Sequence, residues 1–137
     1  MAVDTKRNRL LWCQPSAPRT IDLSGYSVSL QTLSGNGALI SEFTALGAEG
    51  LGLIYDPRTD AYYVRARAAG STVYKIDAGT FTITTVPVVG SVFPPVSGGS
   101  SSPGGHGIYN KWILLPHLRG IAYLPDSGSN IWFMRLY

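Results

Sequence analysis

The sequence predicts an all-β chain assembled from about three repeats of a four-stranded antiparallel meander. Three observations predict it. Short apolar runs alternate with turn residues along the whole length, sixteen glycines and nine prolines are spread without a fixed period, and one stretch of the pattern returns twice. Apolar residues make up 45% and charged residues 14% of the 137, enough for a buried core and unlike a disordered polyelectrolyte.

The repeat starts at Ala2 to Trp12. Ile54 to Val64 matches it, with Asp4 falling on Asp56, Lys6 on Arg58, Asn8 on Asp60 and Leu10-Leu11-Trp12 on Tyr62-Tyr63-Val64. Thr20-Ile21 falls on Thr72-Val73 at the same offset, and Val28-Ser29-Leu30 falls on Ile83-Thr84-Thr85 after a slip of a few residues. In a third copy Leu114 to Tyr123 takes the place of Tyr55 to Val64, and Asn130 to Met134 that of Thr72 to Ile76. The expected organisation is one domain of three units, 1–46, 47–93 and 107–137, with 94–106 as a Gly/Ser/Pro-rich solvated loop.

The middle copy displays every element. Gly52 to Tyr55 reads as a first strand and Asp56-Pro57-Arg58-Thr59-Asp60 as a turn. Pro57 presets φ there, and Asp56 and Asp60 have side chains that bond nearby amides. Ala61 to Arg67 is a second strand, Thr72 to Ile76 a third and Phe81 to Val86 a fourth. In the fourth, threonines alternate with apolar residues, the mark of an outer strand with one wet face. No helix is expected, and Ser41 to Leu46 is read as loop. The first copy has only Met1-Ala2-Val3 for its innermost strand, and the third ends at Tyr137 after its third strand.

With these residues in view, Asp4 to Trp12 and Tyr55 to Val64 resemble the "YDPxxNRLLVFGG" stretch of Kelch repeats, although Cys13-Gln14 and Arg65-Ala66 stand where that family has its double glycine. Gly107 to Tyr109 through Ile131 to Leu136 is similar to the closing blade of bacterial Kelch-like proteins related to the galactose oxidase propeller, and the likeness covers nearly the whole chain. The resemblance implies β-propeller blades of four antiparallel strands around a channel, in an extracellular or periplasmic setting. Three blades do not close a ring, which takes four to eight. A homo-oligomer or a missing propeller half is therefore the expected partner, since an open half exposes a blade face and an edge.

Several function classes drop out. The formal net charge of +3 has one local cluster, Lys6, Arg7 and Arg9, so no nucleic-acid partner is expected. No segment has the run of about 18 apolar residues that spans a bilayer, and charges stand where a signal peptide has its apolar region. The single Cys13 has no disulfide or zinc partner and reads as a small semi-buried apolar residue. A copper site like the one the resemblance raises needs two converging imidazoles. His106 and His117, at either end of an inner strand 108–115, would stand roughly 25 Å apart, so no metal and no cofactor is expected. Asp4, Asp56, Asp60, Asp77 and Asp126 are read as turn caps, and no nucleophile elbow or phosphate loop is present. No enzyme is expected.

A ligand, carbohydrate or protein, would lie where the strand two-to-three loops and the inter-repeat loops gather: Gln14 to Arg19, Asn36 to Glu49, Ala68 to Ser71, Pro94 to His106 and Asp126 to Asn130. There His106, Tyr109 and Arg19 are the candidate ligand-binding residues. Trp12, Trp112 and Trp132 are expected to pack between repeats. The leading functional expectation is a non-catalytic module for recognition or assembly. The alternatives are half of a carbohydrate-binding or carbohydrate-oxidising propeller, and a structural component of an extracellular or viral assembly.

Overall fold

A computed structural model describes residues 1–47, 50–66, 69–87, 89–91, 111–124 and 130–137. The chain is all-β, in three antiparallel meanders. The first sheet runs β1 (Ala2–Asp4), β2 (Arg9–Trp12), β3 (Arg19–Asp22), β4 (Val28–Leu30). The second has the order β5 (Ser34–Gly35), β9 (Thr82–Thr85), β8 (Tyr74–Asp77), β7 (Ala61–Arg65), β6 (Gly52–Asp56), and the third is β10 (Trp112–Leu115), β11 (Gly120–Tyr123), β12 (Trp132–Arg135).

One turn design builds four of the hairpins. Asp4, Asp22, Asp56 and Asp77 each close a strand and accept backbone N–H bonds from within the turn: Asp4 from Lys6 and Arg7, Asp22 from Ser24 and Gly25, Asp56 from Arg58, Asp77 from Gly79 and Thr80. Four residues after each aspartate the chain turns through left-handed backbone, at Asn8, Tyr26, Asp60 and Phe81, with φ of 48°, 55°, 51° and 56°. The carboxylate satisfies amides the turn would strand, and the left-handed residue redirects the chain into the next strand. In the third sheet Leu115 replaces the aspartate. A short 3-10 turn, Pro116–Leu118, carries the bend there, and Arg119 is left-handed at 55°.

The pairing registers match the expected repeat with one displacement. Asp4 pairs with Arg9, Asp56 with Ala61 and Leu115 with Gly120, so the first hairpins correspond residue by residue. The third strand of the second sheet is Tyr74–Asp77, not Thr72 to Ile76. Trp12 pairs with Arg19, whereas Val64 pairs with Tyr74, so the slip falls in the second connection, longer in the second unit, and not between strands three and four. Beyond it the copies agree: Ile21 pairs with Val28 as Ile76 pairs with Ile83.

Two further expectations are corrected. Gly37–Thr44 forms a helix, α1, where Ser41 to Leu46 was expected to be loop. The Asn36 side chain caps it, accepting from Ala38 N at 2.9 Å and Leu39 N at 3.3 Å. Phe43 anchors it, fully buried and edge-on to Tyr74 at 5.0 Å, while the Tyr74 hydroxyl donates to Glu42 Oε1 at 2.6 Å. The fourth strand, β9, is wet at Thr84 and Thr85 as expected but is not the sheet edge, because β5 pairs with it in parallel. Asn36→Ala is expected to lower stability by about 1 kcal/mol in urea unfolding, the usual loss when a helix cap goes.

The second sheet is the centre of the molecule. All five β7 residues are buried. One core cluster lies between the first and second sheets around Leu11, Tyr55, Tyr62, Ile76 and Ile83, and another between the second and third around Tyr63, Trp112, Ile121, Tyr123 and Met134. The first strands of the sheets stand side by side, β1 against β6 and β6 against β10. At Gly120 the packing leaves no space for a side chain, since a Cβ would run into the Met134 carbonyl and the Phe133 ring.

Candidate functional site

Of the three predicted ligand residues, His106 and Tyr109 lie outside the described residues, as do Asp126 and the 94–106 loop. Arg19 opens β3 and lays its guanidinium over the Trp12 ring, 5.5 Å from the centroid. The two are neighbours because their backbones pair across β2 and β3. His117 is exposed on the 3-10 turn. Cys13 is buried directly after β2, and burial pushes its thiol up to about 12. A thiol so raised holds little thiolate at pH 8, so an aromatic disulfide reagent is expected to label Cys13 only as fast as the chain unfolds.

The basic cluster Lys6, Arg7 and Arg9 is not a free patch. It is folded into an ion-pair seam between the first and second sheets. Arg7 forks onto Asp60, Nη1 to Oδ1 and Nη2 to Oδ2 both at 2.8 Å, and also reaches Asp4 Oδ2 at 3.1 Å. Arg9 Nε donates to Asp4 Oδ2 at 3.0 Å, its Nη2 bonds the Ala78 carbonyl, and its guanidinium lies over Phe81. Tyr55 and Tyr62 donate their hydroxyls to Asp60 Oδ1 and Asp4 Oδ2 at 2.8 and 3.2 Å.

Asp60 is thus a cross-sheet partner and not the turn cap expected of it. Hydrogen bonds from Arg7, then from Tyr55, hold its carboxyl well below the usual range. At Asp4 burial acts upward, but the Arg7 side-chain and backbone bonds outweigh it and the carboxyl is lowered. Burial, joined by the bond to Asp60, raises the Tyr55 phenol. Every carboxylate in the seam is committed to a guanidinium, so none is poised to move a proton near neutral pH. The seam is a clamp.

The remaining feature is apolar. Val3, Leu10, Trp12, Ile21, Val28 and Leu30 share the face of the first sheet turned away from the second, and Val28 and Leu30 are 59% and 66% exposed. Ile113, Leu115, Ala122 and Phe133 share the outward face of the third sheet, where Phe133 is 46% exposed. Trp112 packs between sheets as expected and Trp132 lies partly buried against the same cluster, but Trp12 sits on the uncovered face.

No family model, curated protein or solved structure matches the chain.

Two open grooves of about 480 Å³ each adjoin these faces. One lies along the first strands, lined by Met1, Leu51, Leu53, Ile54, Trp112, Ile113 and Leu114, and the other along β12, with Pro87, Val89 and Ser91 opposite Trp132 to Arg135. Among the described residues no three His, Cys, Asp or Glu side chains gather to hold a metal ion, and no helix is long and apolar enough to cross a membrane. An exposed blade face is what the sequence leads one to expect, but not the residues that form it, because alternation shows which residues share a face and not which face finds a neighbour.

Proposed function

We propose that the chain is a non-catalytic β-propeller module for recognition or assembly, its three meanders acting as successive blades, and that its ring is completed by another copy or by a partner segment. One observation carries the reading: among the described residues, the two outer sheets leave uncovered the faces that correspond to those buried inside. Val3, Leu10 and Trp12 hold the positions of Tyr55, Tyr62 and Val64, which the second sheet turns into the first core cluster. Ile113 and Ala122 hold those of Ile54 and Tyr63, which pack in the second cluster. The side-by-side first strands suit a radial arrangement, as does the resemblance to Kelch repeats. Apolar sheet faces of this extent mark interaction surfaces.

Hydroxyl-radical footprinting across a concentration series tests the reading. Trp12 and Phe133 are expected to be shielded in concentrated protein and labelled on dilution. Labelling as free at every concentration as their exposure allows would sink completion by another copy and leave only a partner segment.

A carbohydrate-binding propeller is the second reading, favoured by the half-exposed Trp12 ring with Arg19 stacked against it. A flat aromatic beside a multi-donor cation is a platform for a sugar ring. A glycan array in which Trp12→Ala abolishes saturable binding would support it, and an array without binding would remove it.

A further inference from the structure

We infer that the partner completing the assembly is a second copy of this chain, docked head to tail, so that the outward face of the first sheet in each copy packs on the outward face of the third sheet in the other. The inference rests on the reading above and adds the partner, the pairing and the number of copies.

The two interfaces inside the chain are built alike. In each, the earlier sheet offers the face that holds Leu11 or its equivalent Tyr63, and the later sheet offers the face that holds Tyr62 or its equivalent Ile121. The third sheet's free face is of the earlier kind and the first sheet's free face is of the later kind. They are therefore the two halves of one more interface of the same construction. No copy can join its own ends, since the second sheet stands between them.

The chemistry agrees. Neither outward face carries an acidic strand residue, and the strand residues of each include a single cation, Arg19 on one and Arg135 on the other. An apolar field of this kind takes an apolar counterpart and offers no carboxylate to a cationic partner. Inside the chain, turn end lies against turn end, as the Arg7–Asp60 fork shows. Docking in the same sense sets Arg135, at the turn end of its sheet beside Gly120, far from Arg19, which pairs with Trp12 at the other end. The like charges do not meet.

Head-to-tail contacts either close or run on as a filament. Two copies bring six of the described sheets, inside the range of about four to eight in which blades close radially, while three copies bring nine, outside it. A closed pair with two identical seams is the solution.

The test is sedimentation of the wild-type chain and of two variants, Val28→Glu on one face and Phe133→Glu on the other, with circular dichroism to verify folding. Leu30→Glu and Ile113→Glu serve if either variant fails to fold. Wild type is expected as a two-copy particle. Each variant buries an unpaired carboxylate in both seams and is expected to associate about a hundredfold more weakly or worse. Mixing the two variants is expected to restore a pair, because one of its two seams then carries neither substitution. Association in which one variant alone still pairs normally, or in which mixing restores nothing, overturns the head-to-tail pairing but leaves the faces standing as assembly surfaces. A wild-type chain that is monomeric at every concentration, with Trp12 and Phe133 freely labelled, overturns the second copy as the partner and leaves a partner segment as the occupant of the faces.

Discussion

Asp4→Ala is expected to destabilise the chain by about 3–5 kcal/mol in urea unfolding, the usual loss when one partner of a buried charged cluster is removed. Asp4 is fully buried and takes bonds from two guanidiniums, the Tyr62 hydroxyl and two turn amides. Alanine leaves Arg7 with Asp60 alone and takes from Arg9 its carboxylate. It also removes the acceptor that shapes the first hairpin, so the loss reaches both sheets. Asp4→Asn keeps an oxygen for the turn amides and drops the charge, and its cost is expected to fall between wild type and alanine. A loss below about 1 kcal/mol for alanine, in the range of an exposed pair, would mean that apolar contact alone holds the first two sheets together.

The same seam sets an acid limb. Both Asp4 and Asp60 titrate lower in the folded chain than their ordinary value of 3.8. A carboxyl depressed on folding contributes stability that is complete above its unfolded value and drains away as pH falls through its folded one. Urea stability is thus expected to be level from neutral pH down to about 5 and to decline below about 4. Asp60→Asn should make that decline shallower. Because the Asp60 side chain is a third exposed, solvent screens part of its share.

What was legible in the sequence is what short-range chemistry decides. An aspartate that closes a strand and finds amides two and three residues on is a local device, so Asp4, Asp56 and Asp77 were readable as turn formers, and the hairpin registers followed from them. Asp60 was aligned correctly with Asn8, since both are left-handed, but the alignment hid its second role. Its partner Arg7 is 53 residues away, and nothing local points to it. Helix α1 was missed for a related reason. Eight residues are too few to be helical on propensity alone, and what holds them is Phe43 against Tyr74, a contact across most of the second unit. Connection lengths carry no periodic signal either, which is why the slip between the copies was assigned to the wrong loop. Arg19 was readable as the end of a loop, but its stacking on Trp12 needed the β2–β3 register.

Trp112→Ala is the second large effect, expected at about 3–5 kcal/mol as for other buried tryptophans and phenylalanines cut to alanine. Trp112 is 3% exposed, sits edge-on to Tyr123 at 6.2 Å and donates its indole N–H to the Tyr63 carbonyl at 3.3 Å. It is the bulkiest buried side chain of the second core cluster, and the third sheet has only three described strands with which to share the loss. The damage should therefore be local: hydrogen exchange is expected to quicken across β11 and β12 while β7 and β8, sealed on their other side by the first cluster, keep their protection. Trp112→Phe retains most of the buried surface and forfeits the indole bond, so a cost nearer 1–2 kcal/mol is expected. The contrast is Trp12, half-exposed on an outward face, whose truncation should cost the separated monomer far less. If Trp112→Ala instead loosened all three sheets equally, the third would not be a separately yielding unit. The second sheet would then depend on it for its own order, despite the five buried residues of β7.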